Sequence, residues 1–461
     1  MRANSSDKID FSVFLMGINA LTAAAILFLF FFSGTNEYVN TYTVCLSFAF
    51  AAQSHFFLQI TRRRPNPFLL LLVMYSVFFY EFRIATLLLE PWSTVFVRNA
   101  FGAADLSSGL LFIILANFFI FLGVDTFAES GFEPGQRENS GVVSVWLLPP
   151  ILFFALGMAV NLDFRLLSSI KGYVWIIFNP DIVLLFGLVF VALYHEALDR
   201  RQKIIVVSMA VIFVAYKTYV GSRSAMLMLF FYSFCAWFAV KGQVALKRKA
   251  YMILTALAPL TVALFILATL VVRKSYPEVP LKIIFDRLGL LDMGAEVISG
   301  SIPYRSVINF THYFKSIVDS GLTPGFNVFD APKAANVLSF IYSGQPAVSL
   351  QAISVNYQSD ILTVYGEAYA LLGPIAGLAG IFVVSFLFQK VYRALAGTGP
   401  FKQAALRATV LVVFYTYFLG SFGVDWFVVD AVRFAVPFYL LLCLYSMCAR
   451  NVPGRASGGG E

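Results

Sequence analysis

The chain has 461 residues, of which 59% are hydrophobic and 13% are charged, and its net charge is +8. Soluble domains carry about 25% charged residues, so this composition excludes a disordered chain, a solenoid and a soluble α/β enzyme. Long apolar runs separated by short polar ones are typical of a polytopic helical membrane protein. We therefore predict an all-α fold, a transmembrane helical bundle of about twelve spans with one large outer loop.

Twelve apolar runs are candidates for membrane spans. In chain order they lie near 11–32, 38–60, 67–89, 105–127, 142–162, 174–197, 203–220, 224–240, 250–272, 361–389, 405–422 and 427–448. The run at 361–389 is longer than one span requires and contains the dipeptide Gly373–Pro374. This dipeptide predicts either a kinked helix or a short segment in front of the true span.

The charged residues give these spans an orientation. With the N-terminus in the cytoplasm, the inner segments hold 19 lysines and arginines, whereas the short outer loops hold four. An excess of this kind is the positive-inside pattern, so we predict that both termini are cytoplasmic. The net charge of +8 therefore reports topology and does not indicate a nucleic-acid partner. The predicted surroundings are membrane lipids.

The chain divides into four segments. Residues 1–272 hold the first nine spans, 273–360 form the large outer loop, 361–450 hold the last three spans, and 451–461 form a Gly-rich tail that we expect to be disordered. Within the outer loop, Leu281–Ile298 has apolar residues at helical spacing. This spacing predicts an amphipathic helix that lies along the membrane surface.

The sharpest local motif is the outer turn Val220–Ser224, which places Arg223 at the start of the eighth predicted span. Backbone N–H groups at a helix N-terminus and a guanidinium both favour an anion, above all a phosphate. The alternative is a capping turn whose arginine extends to the lipid headgroups. Because cations are rare on the outer face, we retain Arg223 as a candidate phosphate ligand.

Three more arginines, Arg273, Arg287 and Arg305, lie in the outer loop. The planar guanidinium fork suits a diphosphate, and several forks together would clamp one. The alternative is a salt-bridged loop surface, since Arg287 adjoins Asp286. Their location on the same side of the membrane as the Val220–Ser224 turn supports a joint diphosphate site.

Two further residues are candidates for proton transfer. His312 alone among the three histidines is predicted to be on the outer side, among aromatic residues that would stack on sugars, and is a candidate general base to a sugar hydroxyl. Glu367 lies early in the tenth run, where an acid at the membrane boundary is costly unless it is paired. The alternatives are a structural histidine and a glutamate bonded to an arginine or to a helix end.

Other polar residues are weaker candidates. Asp292 and Glu296 are alternative acids, and Glu81 with Arg83 is predicted to form an ion pair inside the bundle. The four cysteines fall within apolar runs, so we expect them to be small buried hydrophobic side chains. With the histidines so dispersed, we predict neither a metal site nor a cofactor.

Three features together resemble an oligosaccharide repeat-unit polymerase of the Wzy type, from bacterial O-antigen, common-antigen or exopolysaccharide pathways. One is Val220-Gly-Ser-Arg-Ser-Ala at the opening of a span, and the second is the large outer loop after the following helix. The third is Tyr365-Gly-Glu-Ala-Tyr-Ala-Leu-Leu-Gly-Pro, which leads into a Gly-rich span. The architecture is alike over nearly the whole chain, and the short motifs cover a small part of it.

The resemblance implies a GT-C-like, metal-independent glycosyltransferase of the bacterial inner membrane with a periplasmic active site. Donor and acceptor would be undecaprenyl-diphosphate-linked oligosaccharides, and a chain-length regulator protein is a further implied partner. By motif, Arg223 would hold the donor diphosphate. The other assignments extend this role by chemistry and side of membrane: Arg273, Arg287 and Arg305 as diphosphate ligands, His312 as base and Glu367 as a supporting residue.

Two other functions fit parts of the pattern. An O-antigen ligase shares the donor and the architecture but transfers the glycan to a lipid A core. A transporter or flippase of lipid-linked glycans would show related halves and buried charges along a central path. Because the two halves are dissimilar and the cations concentrate in loops, the sequence favours the enzyme.

Overall fold

The computed structural model describes residues 8–89, 102–125, 180–194, 198, 200–219, 225–242, 245–247, 290–301, 308–319, 328–334, 336–337, 362–395, 400–420, 425, 427–428, 431, 435, 438–440 and 442–443. These residues form thirteen α-helices and one pair of short strands. The all-α prediction therefore holds for this part of the chain, apart from that strand pair.

In chain order, helices α1 to α13 are Phe11–Ser33, Thr41–Arg63, Pro67–Ser76, Phe82–Leu88, Ala103–Asp125, Pro180–Tyr194, Arg200–Tyr219, Ala225–Lys241, Leu290–Ser299, Phe310–Ile317, Thr363–Leu372, Pro374–Ala394 and Pro400–Val412. Strands β1 and β2 are Lys8–Asp10 and Ala245–Lys247. A π-helical segment, Val77–Glu81, joins α3 to α4, and a second one, Val413–Leu419, continues α13.

Five helices among the described residues are long and apolar enough to cross a membrane. They are α1, α2, the continuous helix Pro67–Leu88, α5 and α12. The protein is therefore a polytopic helical membrane protein, as its composition predicts. The predicted spans at 142–162 and 250–272 lie outside the described residues, and 427–448 lies partly outside, so the total of twelve stays a prediction.

Polar side chains determine where the early helices begin. The Asp10 carboxylate accepts a hydrogen bond from the backbone N–H of Ser12 at 2.9 Å and caps α1. Asn66 caps α3 in the same way, accepting from the N–H of Phe68 at 3.1 Å. These caps satisfy N–H groups that the first helical turn leaves unpaired, and Pro67 at the first position of α3 has no N–H to satisfy.

Helix α5 lies at the centre of the described bundle, against α2, α9 and α12. At Gly123 the backbones are so close that a Cβ would lie 2.8 Å from the carbonyl oxygen of Phe382 in α12. The side chain of Asn117 accepts a hydrogen bond from Tyr365 Oη at 2.6 Å and donates one to Ser76 Oγ at 3.3 Å. Close backbones and buried hydrogen bonds of this kind hold membrane helices together where apolar burial cannot.

The long tenth run is divided into two helices at Gly373 and Pro374. Gly373 has φ 81°, a left-handed conformation that glycine adopts at little cost. Pro374 then occupies the first turn of α12, where its missing N–H breaks no hydrogen bond. A short helix, α11, thus precedes the true span, which is the second of the two arrangements predicted from the sequence.

Helix α9 belongs to the outer loop in sequence but is buried in the bundle. The predicted surface helix at Leu281–Ile298 is therefore wrong over its described part, where residues 291–298 are all buried. A Cβ on Gly109 of α5 would lie 2.5 Å from Cβ of Ala295, so the two helices meet through small residues. The apolar residues at helical spacing in this segment pack against other helices of the protein and do not lie on the membrane surface.

Strands β1 and β2 pair antiparallel, with Lys8 opposite Lys247. Because the two strands are hydrogen-bonded to each other, the segments before α1 and after α8 lie on one side of the membrane. An even number of crossings must separate them, which agrees with the eight spans predicted between these positions.

Candidate functional site

The structure describes two of the six residues that the sequence predicts as site residues. These two are His312 on α10 and Glu367 on α11. The other four lie outside the described residues, so the diphosphate site that they would form stays a prediction: Arg223, Arg273, Arg287 and Arg305.

Helix α10 has two different faces. Asn309 caps it by accepting a hydrogen bond from the His312 N–H at 3.0 Å. His312 and Ser316 are one turn apart, and Ser316 is fully buried. Phe310 and Phe314 lie on the opposite side of the helix, each 63% exposed. These two phenylalanines therefore do not share a face with His312, so they are not placed to stack on a sugar bound at that histidine.

Asp425 anchors α10 and the segment that follows it. Its Oδ2 accepts hydrogen bonds from Ser316 Oγ at 2.7 Å and from the Ala334 N–H at 2.8 Å. The side chain is fully buried, and it lies two positions before the predicted last span. It thus joins residues 316 and 334 to the residues just before the predicted last span, a role that no local motif around Asp425 indicates.

Burial lowers the pKa of His312 below its ordinary value, because the imidazolium form loses its hydration. Lys315 also lowers this pKa, whereas the charge of Asp425 and a hydrogen bond to the backbone of Pro332 raise it. Burial is the largest of these effects, so the imidazole is neutral at pH 7.

The hydrogen bonds of His312 also fix its tautomer. Proline has no N–H, so the backbone partner at Pro332 is its carbonyl oxygen, and the ring nitrogen that bonds to it must carry the proton. Nε2 of His312 is buried and has no hydrogen-bond partner among the described residues, so Nδ1 makes that bond. Nε2 therefore carries the lone pair of the neutral ring, and this atom is enclosed by the protein.

Asp319 shapes the loop beside His312. Its carboxylate accepts hydrogen bonds from the N–H groups of Phe329 at 3.0 Å and Ala331 at 2.9 Å. Asp319 is 3% exposed, so these charge-assisted bonds are shielded from water. Two buried carboxylates, Asp319 and Asp425, thus hold residues 328–334 against α10.

A buried ion pair joins α4 to α9. Arg83 Nε lies 3.0 Å from Asp292 Oδ1 and 3.1 Å from Oδ2, and Nη2 also donates to Oδ2. Arg83 is 0% exposed. The predicted pairing of Arg83 with Glu81 is wrong, because residues two positions apart on a helix point in different directions, and Asp292 of α9 supplies the acid instead.

The remaining predicted acids are buried where α9 and α11 meet. Glu296 is 2% exposed and Glu367 is 3% exposed. Both are held by neighbouring groups, as the cost of burying an acid in a membrane protein requires. The structure therefore describes Glu367 as a buried acid with a partner.

A further polar cluster connects α6, α7 and α8. Asp181 accepts hydrogen bonds from Lys217 Nζ at 2.6 Å and from Tyr232 Oη at 3.2 Å. Lys217 lies in the last turn of α7, just before the Val220–Ser224 turn. The sequence signal available for this cluster was a single lysine within an apolar run. The cluster fixes the two helices that carry the predicted phosphate turn.

Among the described side chains, no group of three His, Cys, Asp or Glu residues is placed to hold a metal ion. Cys235 is buried, as predicted, and burial of this kind is typical of a structural thiol. Cys45 is exposed on α2, so the prediction of burial is wrong there. Its helix is a membrane span, and one side of it faces away from the bundle.

Membrane-length apolar helices with charged side chains buried between them define the class of this molecule as a polytopic helical membrane protein. No protein-family model, curated protein or solved structure matches the chain. The class therefore rests on helix length, hydropathy and the contacts described above.

Proposed function

We propose that the chain is a metal-independent glycosyltransferase that polymerises undecaprenyl-diphosphate-linked oligosaccharide repeat units on the periplasmic face of the bacterial inner membrane. The observation that carries the proposal is His312, a neutral imidazole in the predicted outer loop whose enclosed Nε2 has no hydrogen-bond partner among the described residues and which lies next to a buried carboxylate. The substrate class comes from the resemblance of two short motifs to Wzy-type polymerases.

In this proposal His312 is the general base. The acceptor hydroxyl gives its proton to Nε2 as its oxygen attacks the anomeric carbon of the donor glycan. The imidazolium that forms is stabilised by the charge of Asp425, which already raises the pKa of this histidine. In this proposal the Pro332 carbonyl accepts a hydrogen bond from Nδ1, which sets the tautomer that the transfer requires.

The bond that breaks joins the anomeric carbon to the diphosphate oxygen, and undecaprenyl diphosphate leaves with the bonding electrons. Diphosphate is a good leaving group, and positioned guanidinium groups stabilise the charge that develops on it. Glu367 has a supporting role, since it is buried and partnered. The proposed ligands of the leaving group are Arg223, Arg273, Arg287 and Arg305.

The test uses the purified chain in a lipid nanodisc with a defined undecaprenyl-diphosphate repeat unit and no added metal. We expect longer glycans and free undecaprenyl diphosphate, and both products are measured by gel electrophoresis and mass spectrometry. His312→Gln should slow elongation by about 100-fold or more, the loss typical of a missing general base. His55→Gln is the matched control, because His55 is exposed on α2, and it should retain full activity.

Failure of the wild-type chain to elongate its native repeat unit would refute the polymerase. Wild-type chain lengths from the His312→Gln variant would refute the base. Supplying a lipid A core as the acceptor separates the ligase alternative, because a ligase would label that core instead of extending the repeat unit.

Transport of lipid-linked glycans is the second candidate, favoured by the buried charges inside the bundle. Arg83, Asp292 and Glu296 are all shielded from solvent, and charges of this kind often mark a transport path. Liposomes loaded with the lipid-linked unit on one side distinguish the two functions. Movement across the bilayer without a new glycosidic bond would indicate transport.

A further inference from the structure

Helix α10 carries an apolar face that other described residues leave open. Phe310 and Phe314 are one turn apart and each 63% exposed. Beside the end of the helix, Val328 is 58% exposed and Phe329 is 44% exposed. We call these four residues the apolar face of α10. Keeping it in water would be unfavourable, since apolar surface gains about 25 cal/mol per Å² when removed from water.

A cation lies at the rim of this face. Lys315 is exposed, and its Nζ lies 5.9 Å from the ring centroid of Phe329. Phenylalanines flanked by a lysine are typical of helices that lie in the membrane interface, where the rings enter the acyl region and the ammonium stays at the headgroups. The positive charge complements lipid phosphates.

The opposite face of α10 is fixed to the protein. Tyr313 is 3% exposed, and Ser316 is hydrogen-bonded to Asp425, next to the predicted last span. The helix is therefore held beside the start of the predicted last span, with its apolar face turned away from the protein. Phe310 and Phe314, each 63% exposed, are about as exposed as Phe28 of the span α1, which is 59% exposed.

We propose that α10 lies in the outer-leaflet interface, with its apolar face among phospholipid acyl chains and Lys315 at the headgroup phosphates. The inference does not depend on glycosyl transfer. It assigns to a loop helix the same lipid environment as the outer surfaces of the spans.

The test replaces single residues with the photoreactive analogue p-benzoylphenylalanine. The variant at Phe314 is compared with Phe28 as the lipid-facing control and with Glu37, exposed in the connection between α1 and α2, as the water-facing control. Each variant is placed in nanodiscs of phosphatidylcholine and phosphatidylglycerol, irradiated and analysed by mass spectrometry. We expect phospholipid adducts at Phe314 and Phe28, at least about tenfold above those at Glu37.

Three outcomes would overturn the proposal. One is no adduct at Phe314 while Phe28 reacts, and a second is a cross-link from Phe314 to another copy of the chain. The third is an adduct with retained polyprenyl lipid and none with phospholipid. If the Phe314 variant fails to fold, the same adduct measurement is made on a variant at Phe310, which lies on the same face.

Discussion

The ionisation of His312 depends on groups that act in opposite directions. Burial and Lys315 lower the pKa of this histidine, and Asp425 and the Pro332 carbonyl raise it. A general base acts only when unprotonated, so activity is lost as the pH falls through this pKa. Removing the negative charge of Asp425 lowers the pKa further, because the imidazolium loses a favourable neighbour.

We therefore expect Asp425→Asn to move the acidic limb of the polymerisation rate profile to lower pH. The measurement is the elongation rate as a function of pH with saturating repeat unit. Asp319→Asn is the matched control, since Asp319 is a buried carboxylate of the same loop that bonds to backbone N–H groups. The assignment fails if the limb stays in place in Asp425→Asn, or if both variants move it equally.

Single residues also show the limit of sequence reasoning. The sequence selects His312 and Glu367 as candidates because histidines are rare in this chain and acids are rare in apolar runs. The roles of Asp425 and Asp292 depend on contacts across 109 and 209 residues of chain, respectively. No local pattern carries information about a partner so distant, so these two roles emerge only from the fold.

The docking of α9 into the bundle depends on the ion pair between α4 and α9. Arg83→Met would leave Asp292 buried without its partner, and we expect the free energy of unfolding to fall by about 3–5 kcal/mol. The double variant Arg83→Met/Asp292→Leu replaces both charges with apolar groups, so it should recover most or all of the loss. Thermal unfolding in detergent, followed by circular dichroism, measures both. A double variant as unstable as the single one would contradict this account.

The elements differ in how far the sequence determines them. Hydropathy predicts the ends of the long spans to within a few residues, as for α1. A membrane helix must form all its backbone hydrogen bonds within the helix and present apolar side chains to the lipid, so its sequence is apolar over its whole length. The Gly373–Pro374 pair predicts a break, because proline has no N–H to donate to a backbone carbonyl in the preceding helical turn. Amphipathic spacing at Leu281–Ile298 predicts a helix but not its neighbours, since protein and membrane surfaces both favour the same pattern.

At the scale of the whole molecule, the β1–β2 pair constrains topology independently of charge. Cysteines placed at Lys8 and Lys247, in a background without native cysteines, should both react with a membrane-impermeant maleimide from the same side. We expect that side to be the cytoplasm, by the positive-inside pattern. Asp330→Cys, exposed in the outer loop, is the control and should react from the opposite side. Labelling of the two lysine positions from opposite sides would contradict the strand pair.

The buried ion pair has a consequence for how the chain is made. Arg83 enters the membrane 209 residues before Asp292 leaves the ribosome. At about 5–20 residues per second, synthesis of that stretch takes roughly 10 to 40 s. Throughout that interval the nascent chain holds an arginine without its final partner, at an insertion cost of up to about 3 kcal/mol. Insertion of the Pro67–Leu88 helix therefore precedes the pairing of its arginine, and the bundle around that helix is complete only after Asp292 has been synthesised.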